Sequence, residues 1–348
     1  MHYKTSPARG FFDEAFRLEK LKEQNDPLVK LKERIDFELF RPPLEQAFFK
    51  EDKGIGGARP YDYVMMFKIL ILQRYYNIGD DKLEFAILDR LSFMRFLGLS
   101  LNDNVPDAKT IWLFRESLTQ KNLAEKLFKL FWEELKKKGL LLNEGKMVDA
   151  SFVEVPIQRN SREENKQINE GKIPDAWKEQ ANKVSHKDTD ARWTKKNGKS
   201  YYGYKDHIKA DTKSKLIETY EVTDVPIVIG MHDSQPIKNL LSEKDKGQSL
   251  HGDRAYSGEP VKEIVGKMEM ENQIHEKGYR NRPLTETQKE NNKTKSKTRA
   301  RVEHIFGFIE NSMNGSFIRS IGIRRATAII GLMNLTYNMF RAMQLGIT

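Results

Sequence analysis

From residue 11 to about 140 the apolar side chains recur at helical spacing, and no stretch alternates as a half-buried strand does. Asp62 to Tyr76 is apolar nearly all round, which predicts a central buried helix, and Leu83 to Leu97 repeats Phe85, Leu88, Leu91 and Phe96 near helical spacing. Val105-Pro106-Asp107 is a breaker followed by an N-cap residue, so a helix is expected to run on through Arg115. The next helix, about Asn122 to Lys138, sets Leu123, Leu127, Leu130, Phe131 and Leu135 on one side and stops at Gly139. A helical bundle is therefore expected over residues 1–140. Two short helices joined by a turn fit either a DNA-reading unit or plain bundle packing, and packing is the simpler account.

After Gly145 the pattern changes. Met147 to Val155 is rich in apolar and β-branched residues and predicts a strand. Residues 157–200 hold few aliphatics, many charges and two isolated aromatics, Trp177 and Trp193, a composition expected of an exposed polar insertion. Tyr201–Ala210 and Lys215–Thr223 predict a strand pair around a turn at 211–214, and Met231–Pro236 predicts a helix start that Asp233 caps. Short strands at Leu250–Arg254 and Asn272–His275 alternate with helices at Glu259–Met268 and Arg299–Ile309, and a buried C-terminal helix spans about 326–345. The expected fold class is mixed α+β, with a helical N-terminal region (1–140) ahead of an α/β core (141–348) that carries the polar insertion.

Charge narrows the partners: 60 Lys and Arg against 50 Asp and Glu leave +10, which favours a polyanion such as DNA without requiring one. The absence of cysteine excludes disulfides, iron–sulfur clusters and cysteine-ligated zinc, and the seven histidines show no metal-ligand spacing. Gly54-Ile55-Gly56-Gly57 lacks the Lys-Ser/Thr of a phosphate-binding loop, so no ATP site is expected. The N-terminus has no secretion-signal core and the apolar runs at 64–72 and 326–340 are interrupted by polar residues, so a cytoplasmic location without membrane contact is expected.

Three acids carry the candidate chemistry: Asp149 on the first strand, Asp253 at the end of the fourth, and Glu303 on a following helix. Hard oxygen ligands hold Mg²⁺, and in a mixed α/β sheet a site collects at the carboxyl ends of neighbouring strands. Alone, Asp149 and Asp253 could cap turns, and Glu303 could pair with Arg299 one helical turn earlier. In order and together they match the arrangement of a ribonuclease H-like catalytic core.

The sequence resembles bacterial insertion-sequence transposases of the DDE class, in the group named after insertion sequence five. The matching stretches are 106–115, 148–151, 202–207, 252–256, 277–280 and 301–306, spread over most of the chain. The resemblance implies that Asp149, Asp253 and Glu303 are catalytic and hold two Mg²⁺ ions, with Mn²⁺ able to substitute and Asp149 bridging. It also implies hydrolysis at the transposon end followed by attack of the freed 3′-OH on target DNA, without ATP. Expected partners are double-stranded DNA, both terminal inverted repeats and target, and a second copy of the chain, for which the C-terminal helix offers spare apolar surface. Candidate DNA contacts are Arg115, Arg192, Trp193, Lys195, Lys205, His207, Arg254, Tyr256, Lys293, Lys295, Lys297, Arg299 and Arg301. Ser296 and Glu310 depart from the family pattern, which often has Tyr and Lys there. A metal-dependent nuclease without strand transfer and a non-catalytic DNA-binding regulator remain alternatives.

Overall fold

The computed structural model describes residues 10–49, 59–140, 144–196, 198–224, 236–278 and 282–346. The expected loop at 54–57, the capped helix start at 231–235 and Tyr279-Arg280 of the matching stretches lie outside them.

The helical region contains α1 (Asp13–Glu23), α2 (Pro27–Arg34), α3 (Arg41–Phe48), α4 (Tyr63–Tyr76), α5 (Asp80–Asp89), α6 (Leu91–Leu97), α7 (Ala108–Gln120) and α8 (Leu123–Lys137). Helix α4 is the central one: Asp62 caps it by accepting from Met65 N–H at 2.8 Å, and Val64, Met66, Phe67 and Ile69 to Gln73 are buried. The expected Leu83–Leu97 helix is broken at Arg90 into α5 and α6. Phe85 and Leu88 face solvent there, while Leu83, Ala86 and Ile87 go inward. Helices α7 and α8 turn Ile111, Phe114, Leu118, Leu127, Phe128 and Phe131 into the bundle, so that packing accounts for the pair.

The second region runs β1 (Lys146–Glu154), α9 (Arg162–Asn169), α10 (Ala181–Ser185), β2 (Arg192–Lys196), β3 (Lys199–Asp211), β4 (Ile217–Asp224), α11 (Ile237–Leu240), β5 (Ser249–Gly252), α12 (Glu259–Lys267), β6 (Glu271–Ile274), α13 (Glu286–Gly307), a π turn at Phe308–Ser312 and α14 (Ile323–Gln344). The six-stranded sheet is ordered β2-β3-β1-β5-β6, with β4 also beside β3. β1 is antiparallel to β3 and parallel to β5, which is parallel to β6. Gly203 marks a close approach in the Tyr202-Gly203-Tyr204 motif, because a Cβ there would collide with the Val153 carbonyl.

Two expectations change here. The 157–200 stretch is folded: Ser161 and Glu164 form a reciprocal cap on α9, Ile168 and Trp177 are buried, and β2 adds an edge strand. The Trp177 indole donates to Glu164 at 2.5 Å, and the ammonium groups of Lys183 and Lys187 lie 5.4 Å from its ring centroid. One tryptophan covered by charged side chains orders a strip whose composition argued against a core. The C-terminal helix α14, expected to spare apolar surface for a second copy, is instead buried along most of its length against α2, α4, α7, α8 and β4. One apolar cluster therefore runs from Leu28 through α4 and α8 to β3, β4 and α14, across the change of pattern near residue 140. No helix among the described residues is long and apolar enough to cross a membrane.

Candidate active site

Strand alternation fixes which way β1 presents its residues. Met147 and Val153 join the main core while Val148 joins a second cluster with Ile237, Leu250, Tyr256 and Val261 across the sheet. Asp149 is therefore on the face of Met147, and α13 packs against β1 and β5. In the parallel pair Val148 stands opposite Gly252, so that Asp149 and Asp253 occupy the next positions on adjacent strands. Asp253 has left the ladder with extended backbone (φ −78°, ψ 174°) and accepts from Ala255 N–H at 2.7 Å. The sheet brings together two acids a hundred residues apart.

Glu303 joins them from α13. The Arg299 guanidinium donates to Glu303 Oε1 at 3.0 Å and lies 3.9 Å from Asp149 Oδ2. His275, just past β6, donates its backbone N–H to Gly252 O at 3.1 Å and has Ser296 Oγ 3.3 Å from Nε2. Burial, then the charge of Arg299, holds His275 below the usual histidine range, while Asp253 works against both. The π turn that ends α13 presents Glu310 to Ser151, whose hydroxyl donates to Glu310 Oε1 at 3.4 Å. Ser151 is two positions beyond Asp149 and hence on the same face, so Glu310 lies beside the acids. Motif spacing flagged Ser296 and Glu310 as departures, but only the fold reveals their neighbours, and nothing in the local sequence singled out His275.

Among the described residues no group of three His, Asp or Glu side chains stands close enough to hold one metal ion. Arg299 lies between Asp149 and Glu303, and its positive charge offsets theirs. The carboxylate oxygens of Asp149, Asp253 and Glu303 are the donor type that Mg²⁺ and Mn²⁺ prefer, and they come from the middle of β1, the end of β5 and a facing helix.

The expected DNA contacts fall into three groups. Lys293, Lys297, Arg254, Trp193 and Lys195 are exposed. Lys295 and Arg301 donate to the carbonyls of Ile274 and Thr212, both at 3.0 Å, and Arg299 serves the acids. Arg115, Arg192, Lys205, His207 and Tyr256 each have partners within the chain. Arg115 makes a bidentate pair with Asp80 at 2.5 and 2.6 Å. Arg192 is buried and donates to the carbonyls of Thr189, Ala191 and Ile168. His207 and Tyr256 are buried within 3.4 Å of each other, and the Lys205 ammonium lies 5.3 Å from the Phe152 ring centroid. On β3, Tyr204, Ile208 and Ala210 join the core on the acids' side, so alternation puts Lys205 and His207 on the opposite face.

Residues 143–339 match the family described as Transposase DDE domain, and residues 16–117 match that described as Transposase domain (DUF772). Two solved structures show distant similarity. One is a piggyBac transposase synaptic complex with hairpin DNA, at 14% identity over 92% of this chain and 75% of that one, with a TM-score of 0.44. The other is a pre-cleavage Mos1 transpososome, at 10% identity over 98% and 99% of the two chains, with a TM-score of 0.21. Both scores are too low to bear on the site. The family match spans the first strand, Asp149 and Asp253, the glutamate helix and most of α14, and with it this chain belongs to the DDE transposase family.

Proposed function

We propose that this chain binds the terminal inverted repeats of an insertion sequence of the group named after insertion sequence five, frees a 3′-OH at each end, and joins it to target DNA. The observation that carries the reading is that Asp149 and Asp253 take neighbouring positions on paired strands while Arg299 on the facing helix links Asp149 to Glu303. The order of strands and acids corresponds to a ribonuclease H-like core. Asp149, Asp253 and Glu303 would hold divalent metal, Mg²⁺ or Mn²⁺; bound metal activates the attacking oxygen and stabilises the leaving one. Arg299 then turns from partner of the acids to partner of a phosphate oxygen, a role its planar fork suits. Lys293, Lys297 and Arg254, exposed around the acids, hold the DNA backbone. The helical region reads the repeat sequence. Two ends must be paired, which calls for two copies of the chain. Each joining exchanges one phosphodiester for another, so no ATP is needed.

The test is strand transfer of a labelled transposon-end duplex into plasmid with Mg²⁺, comparing wild type with Asp149→Asn, Asp253→Asn and Glu303→Gln. Joining is expected to fall at least a hundredfold in each variant while duplex binding persists, and chelation by EDTA should do the same to the wild type. Cleavage without joining would point to a nuclease, and binding without cleavage to a regulator.

A further inference from the structure

Arg74, near the end of α4, lines a cavity of about 350 Å³ together with Gly79, Asp80, Lys82, Arg115 and Arg319. Its Nε is buried without a hydrogen-bond partner, and no carboxylate among the described residues lies within ion-pair distance of its guanidinium. Asp80, which lines the same cavity, is already engaged: it accepts two bonds from Arg115 and one from Gln73 at 2.6 Å. Burial, then repulsion from Arg115, pulls Arg74 down to about 9, Asp80 offsetting only part, with Arg319 adding to the repulsion. A partly buried guanidinium lacking a counter-ion is costly, and three arginines around one cavity are a ready donor set for an oxyanion. The floor adds to this, since the ten-residue helix α5 starts at Asp80 with no side-chain cap on its first N–H groups. Asp81 also lines the cavity and opposes an anion, but Lys82 beside it restores the balance.

Arg319 ties the cavity to the sheet that carries Asp149. Arg319 follows Phe317, which pairs with Glu154 at the carboxyl end of β1. That is five residues beyond Asp149, or about 16 Å along the strand, close to half a turn of duplex. We propose that Arg74, Arg115 and Arg319 form a pocket that grips one backbone phosphate of the DNA lying across the acids. The identity of the phosphate rests on the function proposed above; the pocket's chemistry does not.

The experiment uses the full chain and two probes. With inorganic phosphate at 10 mM and constant ionic strength, the thermal midpoint of the wild type should rise by about 2 °C. Arg74→Gln and, at the rim, Arg319→Gln should abolish that rise. Without phosphate, Arg74→Gln should melt at or above the wild-type temperature, because it removes an unpaired, partly buried charge. With a transposon-end duplex, each variant should bind about five- to tenfold more weakly, and the slope of log affinity against log salt should fall by about 1. A phosphate response that survives in both variants, or an Arg74→Gln protein that melts lower without phosphate, overturns the pocket. A lost phosphate response with unchanged DNA binding overturns the DNA assignment in favour of a free phosphate ligand. Neither readout needs strand transfer, so failure of the joining chemistry leaves this test intact.

Discussion

Asp206 shows how far one side chain can depart from its ordinary behaviour. It lies on β3, wholly buried, and accepts from the Asn334 amide of α14 at 3.0 and 3.2 Å. Burial raises its carboxyl from 3.8 to about 7, against the Asn334 hydrogen bond. Between those values the folded protein holds a proton that the unfolded chain has released, so stability present below pH 4 is lost as pH rises through 7. The loss is on the order of 4 kcal/mol. Denaturant titrations from pH 4 to 8 should show this decline in the wild type and a flatter profile in Asp206→Asn; equal slopes would refute the assignment. A second prediction concerns Glu310, which puts an anion on the face of the acids where relatives of the resembling group often carry Lys. Glu310→Lys should tighten end-duplex binding and steepen its salt dependence by about one phosphate contact, as read by binding titrations at several salt concentrations. No change would place Glu310 away from DNA.

Among the elements, the 155–196 strip departs most from its composition. Its order depends on Trp177, fully buried and tied to Glu164, whose cap to the Ser161 N–H and the Trp177 indole hold that carboxyl down at about 2. Trp177→Ala should open the strip locally at a cost of about 3 kcal/mol, seen as amide exchange roughly a hundredfold faster over 161–185 with the sheet's protection unchanged. Global unfolding instead would mean that the strip supports the core. Helix α13 is the complementary case. It is polar nearly all round, burying only Val302 and Ile305 within its span.

For the molecule as a whole, the apolar core ignores the boundary that the sequence pattern suggests near residue 140. Helix α14 inserts Leu332, Leu335, Met339 and Phe340 among α4, α8 and β4, and Gly331 leaves room for Tyr220, whose ring would collide with a Cβ there. A fragment from 144 to the C-terminus would expose that helix to water. It should therefore be insoluble or unfolded by circular dichroism when expressed alone, and should recover structure when residues 1–140 are supplied in trans. A cooperatively folded fragment would show two independent units.

Periodicity alone determined the helical region, the central helix α4, the strand pair β3–β4 and the alternation of short strands and helices around β5 and β6, because those patterns are local. Motif spacing picked out Asp149, Asp253 and Glu303; the fold pairs the strands of the first two and sets Arg299 between Asp149 and Glu303. Side-chain direction was not legible: Lys205, His207 and Tyr256 share motifs with the site, yet sheet alternation and burial turn them away from it. The split at Arg90 and the role of Trp177 were equally hidden, since each depends on what packs against it. So was the Arg74 cavity, whose three arginines stand 41 and 204 residues apart in sequence. Local spacing sets which element forms, but only the pairing of distant elements decides which charges face one another and which are left without a partner.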